Sequence, residues 1–387
     1  MASRVAIRRR QHLTTSPTTR KGKRTTMNRR IALAAAALLT ATPALAACGS
    51  SSPSSASSNA FGASVSAAPT YNASFPTVKL MIGGWDKQIY LPYTLAQKLG
   101  FYQKYGVNVV LSTEGSVSAE DALLAGDVQM SGAWYNHTIQ LQDKGKSVED
   151  VVQLSGAPGE RIMCGTNSGV HSPADIKGKK MGVTDIGSGT DTLTQFIAAK
   201  AGIKRSDYKT IGVGAGAPAI AQLQRGNIDC MMTTQPTVGA LESQGLAYSA
   251  IDLATVQGAQ AAIGDQWPAA GVLAKTDWVN SNKATVQKVV DALVATMHWI
   301  HTHNATDIAN ALPQSFVQNP LVTKADYIKS LTQDYGQFLP DGLMPASGAQ
   351  NVLKSLVLVK VATGNEDLSK TYTNDFATQA AKDGALN

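Results

Sequence analysis

Ser172-Pro-Ala-Asp-Ile-Lys-Gly-Lys-Lys-Met-Gly-Val-Thr-Asp-Ile-Gly-Ser-Gly-Thr190 is the stretch that decides the fold. Its start, Ser172-Pro173-Ala174-Asp175, has the form of a capping box with proline at the first helical position, where the missing N–H costs nothing. Lys180-Met-Gly-Val183 follows as a short apolar run, the pattern of a buried strand. Gly187-Ser188-Gly189-Thr190 then leads into a helix predicted from Thr190 to Ala201. A strand, a glycine loop and a helix in that order form the repeating unit of α/β proteins.

The alternation recurs on both sides. Downstream, strands are predicted at Ile211–Val213 and Ile228–Met232, and helices at Ala217–Gln224 and Pro236–Ser243. Upstream, strands are predicted at Val78–Ile82, Val107–Leu111, Val128–Ser131, Val151–Leu154 and Arg161–Cys164. Helices are predicted from Leu91 through Leu99, Ser118–Leu124 and Trp134–Gln142. The class is α/β with mostly parallel sheets. Past residue 280 the chain reads as mainly helical. Val286, Val289, Val290, Leu293, Met297 and Ile300 share one helical face and are assigned to the core.

The first 47 residues are of another kind. They hold ten basic residues and no acid, then the apolar run Ile31–Leu39, then Leu45-Ala46-Ala47-Cys48. A basic region, a short apolar region and small residues before a cleavage point predict a secretory signal. The apolar run falls short of the about 20 residues a spanning helix needs. Leu45–Cys48 resembles a bacterial lipobox, so Cys48 is the expected lipidation site and anchor to the outer face of the cytoplasmic membrane. Met27 offers a second start. Residues 48–76, with no charge and much Ser and Ala, are expected to be a flexible tether. Of the chain's 34 basic and 27 acidic residues, 24 basic residues remain after residue 47, a formal −3. That balance speaks against a nucleic-acid partner, which would need a basic face.

Gly83-Gly-Trp85, Tyr90-Leu-Pro92, Ala96-Gln-Lys-Leu-Gly-Phe-Tyr102, Tyr105-Gly-Val-Asn-Val109 and Ala125-Gly-Asp-Val128 carry a resemblance. Ser172–Val183, Gly187–Thr190, Gln222–Asp229 and Leu241–Gly245 continue it. In this order they resemble the solute-binding lipoproteins of ABC transporters in the nitrate/sulfonate/taurine and thiamine-precursor (NMT1/THI5-like) family. The resemblance implies a type II periplasmic binding protein: two lobes, a cleft between them and two inter-lobe crossovers. Carried onto this chain, residues 77–163 plus 272–387 would form lobe 1 and 164–271 lobe 2. It implies a monomer that captures a small organic molecule or a sulfonate-, nitrate- or taurine-like anion. The partners would be an ABC permease and its ATPase. A receptor for a pyrimidine-type thiamine precursor is the alternative. Thiamine-pyrimidine synthases share the fold, but use a cysteine-rich motif that this chain lacks, so an enzyme is not expected.

Ligands of open α/β lobes sit beyond the carboxyl ends of strands. That rule and the resemblance choose the same loops, with Gly84, Trp85, Gln88, Trp134, Tyr135, Asn136, Ser188, Gly189, Thr190, Asp191 and Gln235 as ligand-binding candidates. Trp267 joins them as an aromatic wall. Gly187–Thr190 lacks the Gly-Lys-Ser/Thr ending of a P-loop, but glycines, hydroxyls and a helix start suit an oxyanion. Against that, Lys87 is the only base in these loops, beside Asp86 and Asp191. Cys164 and Cys230 are either a disulfide or two buried thiols. His298, His301 and His303 crowd together without a completing ligand. No metal, cofactor or catalytic residue is expected.

Overall fold

The computed structural model describes residues 70–386 except Ser116. The expected signal, Cys48 and most of the tether lie outside the described residues. Two five-stranded sheets organise the rest. The first contains β1 (Thr77–Ile82), β2 (Asn108–Thr113), β3 (Met130–Trp134), β4 (Val148–Gln153) and β10 (Ala270–Lys275), in the order β2-β1-β3-β10-β4. The second contains β5 (Glu160–Gly165), β6 (Lys180–Val183), β7 (Lys209–Gly212), β8 (Cys230–Thr234) and β9 (Ala247–Leu253), in the order β7-β6-β8-β5-β9.

Strand direction carries the logic of this arrangement. β1 runs parallel to β2 and β3, and β6 parallel to β7 and β8. β10 is antiparallel to β3 and β4, and β5 is antiparallel to β8 and β9. Each sheet is thus parallel except for the one strand that enters it directly from the other sheet. The two crossovers are residues 154–159 and 254–269.

Local chemistry explains several element ends. Ser118 Oγ accepts from Asp121 N at 3.1 Å and starts the next helix, which stops at Gly126 with φ +89°. The Ser172 capping box forms around a short 3₁₀ turn, Pro173–Ile176. Val286, Val289, Val290, Leu293, Met297 and Ile300 are all fully buried along the helix Lys283–Thr302.

Four expectations on boundaries change. The tether ends before residue 76: Asn108 on β2 holds Asn72, accepting from its N–H at 3.0 Å and donating to its carbonyl at 2.7 Å. The boundary placed at 163 falls inside β5, all of which pairs in the second sheet. Ala270 and Gly271, expected in lobe 2, belong to β10 of the first sheet. The segment after 272 is not confined to the first lobe either. Asp334 pairs with Arg161 of β5, and the helix Ala346–Leu358 packs on the helix Gly189–Lys200. The reason is electrostatic as well as steric, since a buried guanidinium needs a carboxylate from whichever segment can reach it.

Candidate ligand-binding cleft

The carboxyl ends of β1 and β3 meet those of β6 and β8. The Gln88 N–H donates to the Gln235 carbonyl at 3.1 Å. The Trp134 ring lies against Gly189, where an added Cβ would overlap its six-membered ring. The four candidate loops are therefore brought together by backbone and ring contacts between the two sheets.

On the first sheet, Gly84 sits at φ +104°, and a Cβ there would meet Lys87 Cε at 2.9 Å. This turn lets Lys87 Nζ fold back onto the Gly83 carbonyl at 2.7 Å. Trp85 is 37% exposed, with its ring 6.0 Å from that of Phe316. Gln88 is buried; its Nε2 donates to the Tyr327 carbonyl at 3.2 Å and its Oε1 has no partner. Trp134 ends β3 rather than starting a helix, and Asn136 opens the helix Asn136–Asp143. Asn136 is 0% exposed, and neither its Oδ1 nor its Nδ2 has a partner.

Two aromatic candidates are placed differently from expectation. Tyr135 is fully buried, with its hydroxyl 2.7 Å from Thr371 Oγ1 and its ring edge-on to Tyr372. These partners belong to the C-terminal segment packed on the first sheet, so Tyr135 fastens that segment instead of forming a cleft wall. Trp267 is also fully buried and donates Nε1–H to Ser355 Oγ at 3.0 Å. It stands edge-on behind Trp134, with centroids 5.5 Å apart, and supports that ring from the crossover.

The glycine loop of the second sheet turns its polar groups on itself. Ser188 Oγ accepts from Asp191 N at 3.3 Å and lies 2.8 Å from Thr190 Oγ1. Thr190 Oγ1 accepts from Thr184 N at 3.0 Å, and the Asp191 carboxylate accepts from Gly187 N at 2.9 Å. A carboxylate of the chain itself thus sits at the helix start, in the favourable field of its N-terminus. The Trp134 ring covers Gly189, so that glycine is needed for protein packing. The Gly187 and Asp191 N–H groups and the Ser188 and Thr190 hydroxyls are thus engaged within the loop and with Thr184.

Glu160 is the residue the sequence reading missed. β5 is antiparallel, so its first residue lies beside the last residues of its neighbours, opposite Thr234 and Leu253. Glu160 is therefore at the carboxyl edge of its neighbours although it opens its own strand. It is 4% exposed and its Oε2 has no partner. Burial pushes its carboxyl up to about 8, against the opposing pull of Lys87 and Arg161. Burial also pushes the nearby Tyr90 hydroxyl well up, and the Glu114, Glu120 and Glu160 charges add to this. Next to Glu160, Thr233 Oγ1 lacks a partner, and Thr234 Oγ1 donates to the Gly159 carbonyl at 2.5 Å.

Arg161 is committed elsewhere. Its Nη1 and Nη2 donate to the Asp334 carboxylate at 2.8 and 2.5 Å, and its Nε to Asp252 at 3.1 Å. Burial alone would depress the guanidinium, and Asp334 more than offsets this, lifting it above its ordinary value. Gln235 Oε1 accepts from Gly239 N at 3.0 Å, and its Nε2 is buried without a partner.

Cys164 and Cys230 are directly opposed on β5 and β8 and form a disulfide, fully buried. Among the described residues no group of His, Cys, Asp and Glu has the makings of a metal site. His303 instead stacks on Trp299, and His301 Nδ1 lies 2.9 Å from the Met297 carbonyl. Two solvent-open hollows of about 490 and 350 Å³, around Lys283 and Phe376 and around Lys275 and Trp278, lie away from these loops. No helix of the described residues is long and apolar enough to cross a membrane.

The family model described as NMT1/THI5 like matches residues 88–307, more than half of the chain. The chain belongs to the NMT1/THI5-like family. A solved structure from Bordetella bronchiseptica RB50 is 31% identical to this NMT1/THI5-like chain, with a TM-score of 0.73, covering 79% of this chain and 97% of that one. The periplasmic nitrate-binding protein NrtA from Synechocystis PCC 6803 superimposes with a TM-score of 0.62 at 16% identity, over 81% of this chain and 90% of its own. The alkanesulfonate-binding protein SsuA from Xanthomonas axonopodis pv. citri, bound to MOPS, gives 0.59 at 17% identity, over 76% and 95%. The fold is therefore that of type II periplasmic binding proteins, two lobes joined by two crossovers. Two curated relatives, from Legionella pneumophila and Schizosaccharomyces pombe, are named 4-amino-5-hydroxymethyl-2-methylpyrimidine phosphate synthase. They are 27% and 29% identical over 35% and 39% of this NMT1/THI5-like chain. The matched stretches span 43% and 45% of those relatives' own lengths.

Proposed function

We propose that this chain is the extracytoplasmic substrate-binding lipoprotein of an ABC importer, a monomer anchored through Cys48 that captures a small organic solute between its lobes. One observation carries the reading. Where the loops of the two sheets meet, Gln88 Oε1, Glu160 Oε2, Asp191 Oδ1 and Thr233 Oγ1 are buried without partners. Native interiors leave few polar groups in that state, because each costs about 1–3 kcal/mol, so a cluster at a cleft calls for a polar ligand. The nitrate- and alkanesulfonate-binding proteins that share the fold support a receptor for uptake. Closure of such lobes on a solute is a hinge motion that a permease can recognise.

Two ligand classes follow from the kinship. A nitrate-, sulfonate- or taurine-like anion has the structural neighbours behind it. A pyrimidine-type precursor has the curated relatives' names behind it, and Glu160 favours this second reading. Those names also raise catalysis. Binding is the better reading for this chain, since Cys164 and Cys230 are consumed in a buried disulfide.

A thermal-shift screen of the full chain against nitrate, taurine, alkanesulfonates and pyrimidines tests the proposal. A true ligand at 100 times its Kd stabilises the folded state by about 2.7 kcal/mol. Mass spectrometry of the released ligand should find it unchanged. Chemical conversion by the purified protein would replace the receptor reading with an enzymatic one.

A further inference from the structure

The charges of the second sheet are sorted between its two edges. Residues 177–180, 204–209 and 225–229 lead into β6, β7 and β8 at the amino edge, away from the cleft loops. The first turn carries Lys177, Lys179 and Lys180, the second Lys204, Arg205 and Lys209, the third Arg225. With Asp207 and Asp229 as their only acids, the three turns hold a formal +5. The rest of the chain after residue 47 has 17 basic and 25 acidic residues, a formal −8. At the carboxyl edge of the same sheet stand Glu160, Asp185 and Asp191.

The three turns form one surface. Gly178 N donates to the Asp207 carbonyl at 2.7 Å, and Lys209 N to the Lys179 carbonyl at 2.8 Å. Lys180 N donates to the Asp229 carboxylate at 2.7 Å, and Lys180 Nζ to the Gly226 carbonyl. The nearby acids face their own backbone: Asp207 accepts from Lys204 N, and Asp175 from His171 N and Ser172 N. None of the seven basic side chains forms an ion pair among the described residues. Lys177, Lys204, Arg205, Lys209 and Arg225 are exposed. Such a surplus draws an anionic partner from within about a Debye length, about 8 Å at physiological salt.

The amino edge offers charge without an apolar centre. The large exposed apolar side chains of the described residues are Tyr71, Trp85, Val117, Ile186, Val357 and Leu358, none of them in these turns. Protein interfaces are centred on aromatic and apolar anchors, whereas an anionic headgroup surface requires only accessible Lys and Arg. We propose that the amino edge of the second sheet docks on the anionic headgroups of the membrane that carries the anchor. The stretch between Cys48 and Asn72, read as a tether, has an r.m.s. reach of about 24–29 Å. Within that reach even weak contacts are populated, because tethering raises the local concentration. The acidic carboxyl edge is repelled by the same headgroups, so the second lobe settles with its cleft side away from the lipid. The proposal rests on the anchored reading for the nearness of the bilayer, and on no property of the solute.

The test is lysine footprinting of the full chain by limited acetylation and mass spectrometry. The probes are phosphatidylcholine vesicles with and without phosphatidylglycerol, and polyglutamate. Any pull from the basic residues before residue 48 acts on all lysines of the body alike, so the comparison among lysines is the readout. We expect Lys177, Lys204 and Lys209 to be shielded about threefold or more by the anionic vesicles, and exposed Lys144 and Lys354 to stay unchanged. The shielding should vanish in neutral vesicles and at about 0.5 M salt. Arg205→Glu with Arg225→Glu reverses two exposed charges that acetylation does not read. It should leave the thermal melt in place and abolish most of the shielding. No shielding, shielding shared equally by Lys144 and Lys354, or shielding that survives the double reversal would each overturn the proposal. Shielding by polyglutamate but not by anionic vesicles would overturn it in favour of an acidic protein partner. Failure of every solute in the thermal-shift screen would sink the receptor reading and leave this result standing.

Discussion

The six-membered ring of Trp134 lies directly on Gly189, and no side chain larger than hydrogen fits between them. Trp134 is the last residue of β3 in the first sheet, and Gly189 the first of a helix in the second. This contact, with the Gln88–Gln235 hydrogen bond, is how the two lobes touch at the cleft.

Gly189→Ala should force the indole away and loosen that contact. Overpacking of this kind costs about 1–3 kcal/mol. The melting temperature should fall, and small-angle scattering should show a larger radius of gyration. Adding Trp134→Ala should recover part of the loss, which a double-mutant cycle would read as coupling. Additive effects would mean that the ring yields freely.

Arg161→Ala should be among the most damaging single changes. It strands the Asp334 carboxylate, whose side chain is fully buried, without its bidentate partner. Removing one member of a buried pair typically costs about 3–5 kcal/mol. Asp252→Ala should do much less, because that side chain is half exposed. Urea denaturation of the two variants provides the comparison.

The pH dependence of ligand-free stability should carry the mark of Glu160. Its carboxyl is raised from 4.5 to about 8 in the folded chain. Within that window the folded state holds a proton that the unfolded state has released. Stability therefore falls as pH rises through it, by up to about 1.4 kcal/mol per pH unit from this group. Buried Asp150 and Asp334 are shifted in the same direction, so the diagnostic is a difference. Melts of wild type and Glu160→Gln between about pH 5 and pH 8 should diverge, with the variant flatter. Parallel curves would place the Glu160 carboxyl near its ordinary value.

The disulfide joins residues 66 apart in sequence. In the chain-entropy view a loop of that size contributes about 4 kcal/mol. Reductant should lower the urea midpoint accordingly, and Cys164 and Cys230 should react with a thiol reagent only after both reduction and unfolding. Labelling of either one in the folded, unreduced chain would contradict the pairing.

Much of this was legible in the chain itself. Lys180–Val183 and Ala217–Gln224 form the predicted elements to the residue. β8 begins two residues later than predicted, and β3 extends through Trp134. β9 and β10 left little trace. Ala247-Tyr-Ser-Ala-Ile-Asp-Leu253 and Ala270-Gly-Val-Leu-Ala-Lys275 are poor in the β-branched and aromatic residues that announce a strand. They are strands because of the neighbours they pair with.

The same division holds for the cleft. The sequence alone determined the alternation of strand and helix, the positions of the glycine turns, and hence which loops follow strands. Those are local matters, set by hydrophobic period, caps and backbone freedom over a few residues. Only the tertiary structure decided what those loops do. It turned Tyr135 toward Thr371, bound Arg161 to Asp334 across 173 residues, and tied Asp191 into its own loop. It also ran β5 antiparallel, which carries Glu160 to the edge where its neighbours β8 and β9 end. Strand direction and the pairing of distant charges depend on the path of the whole chain, and no short window of sequence contains that path.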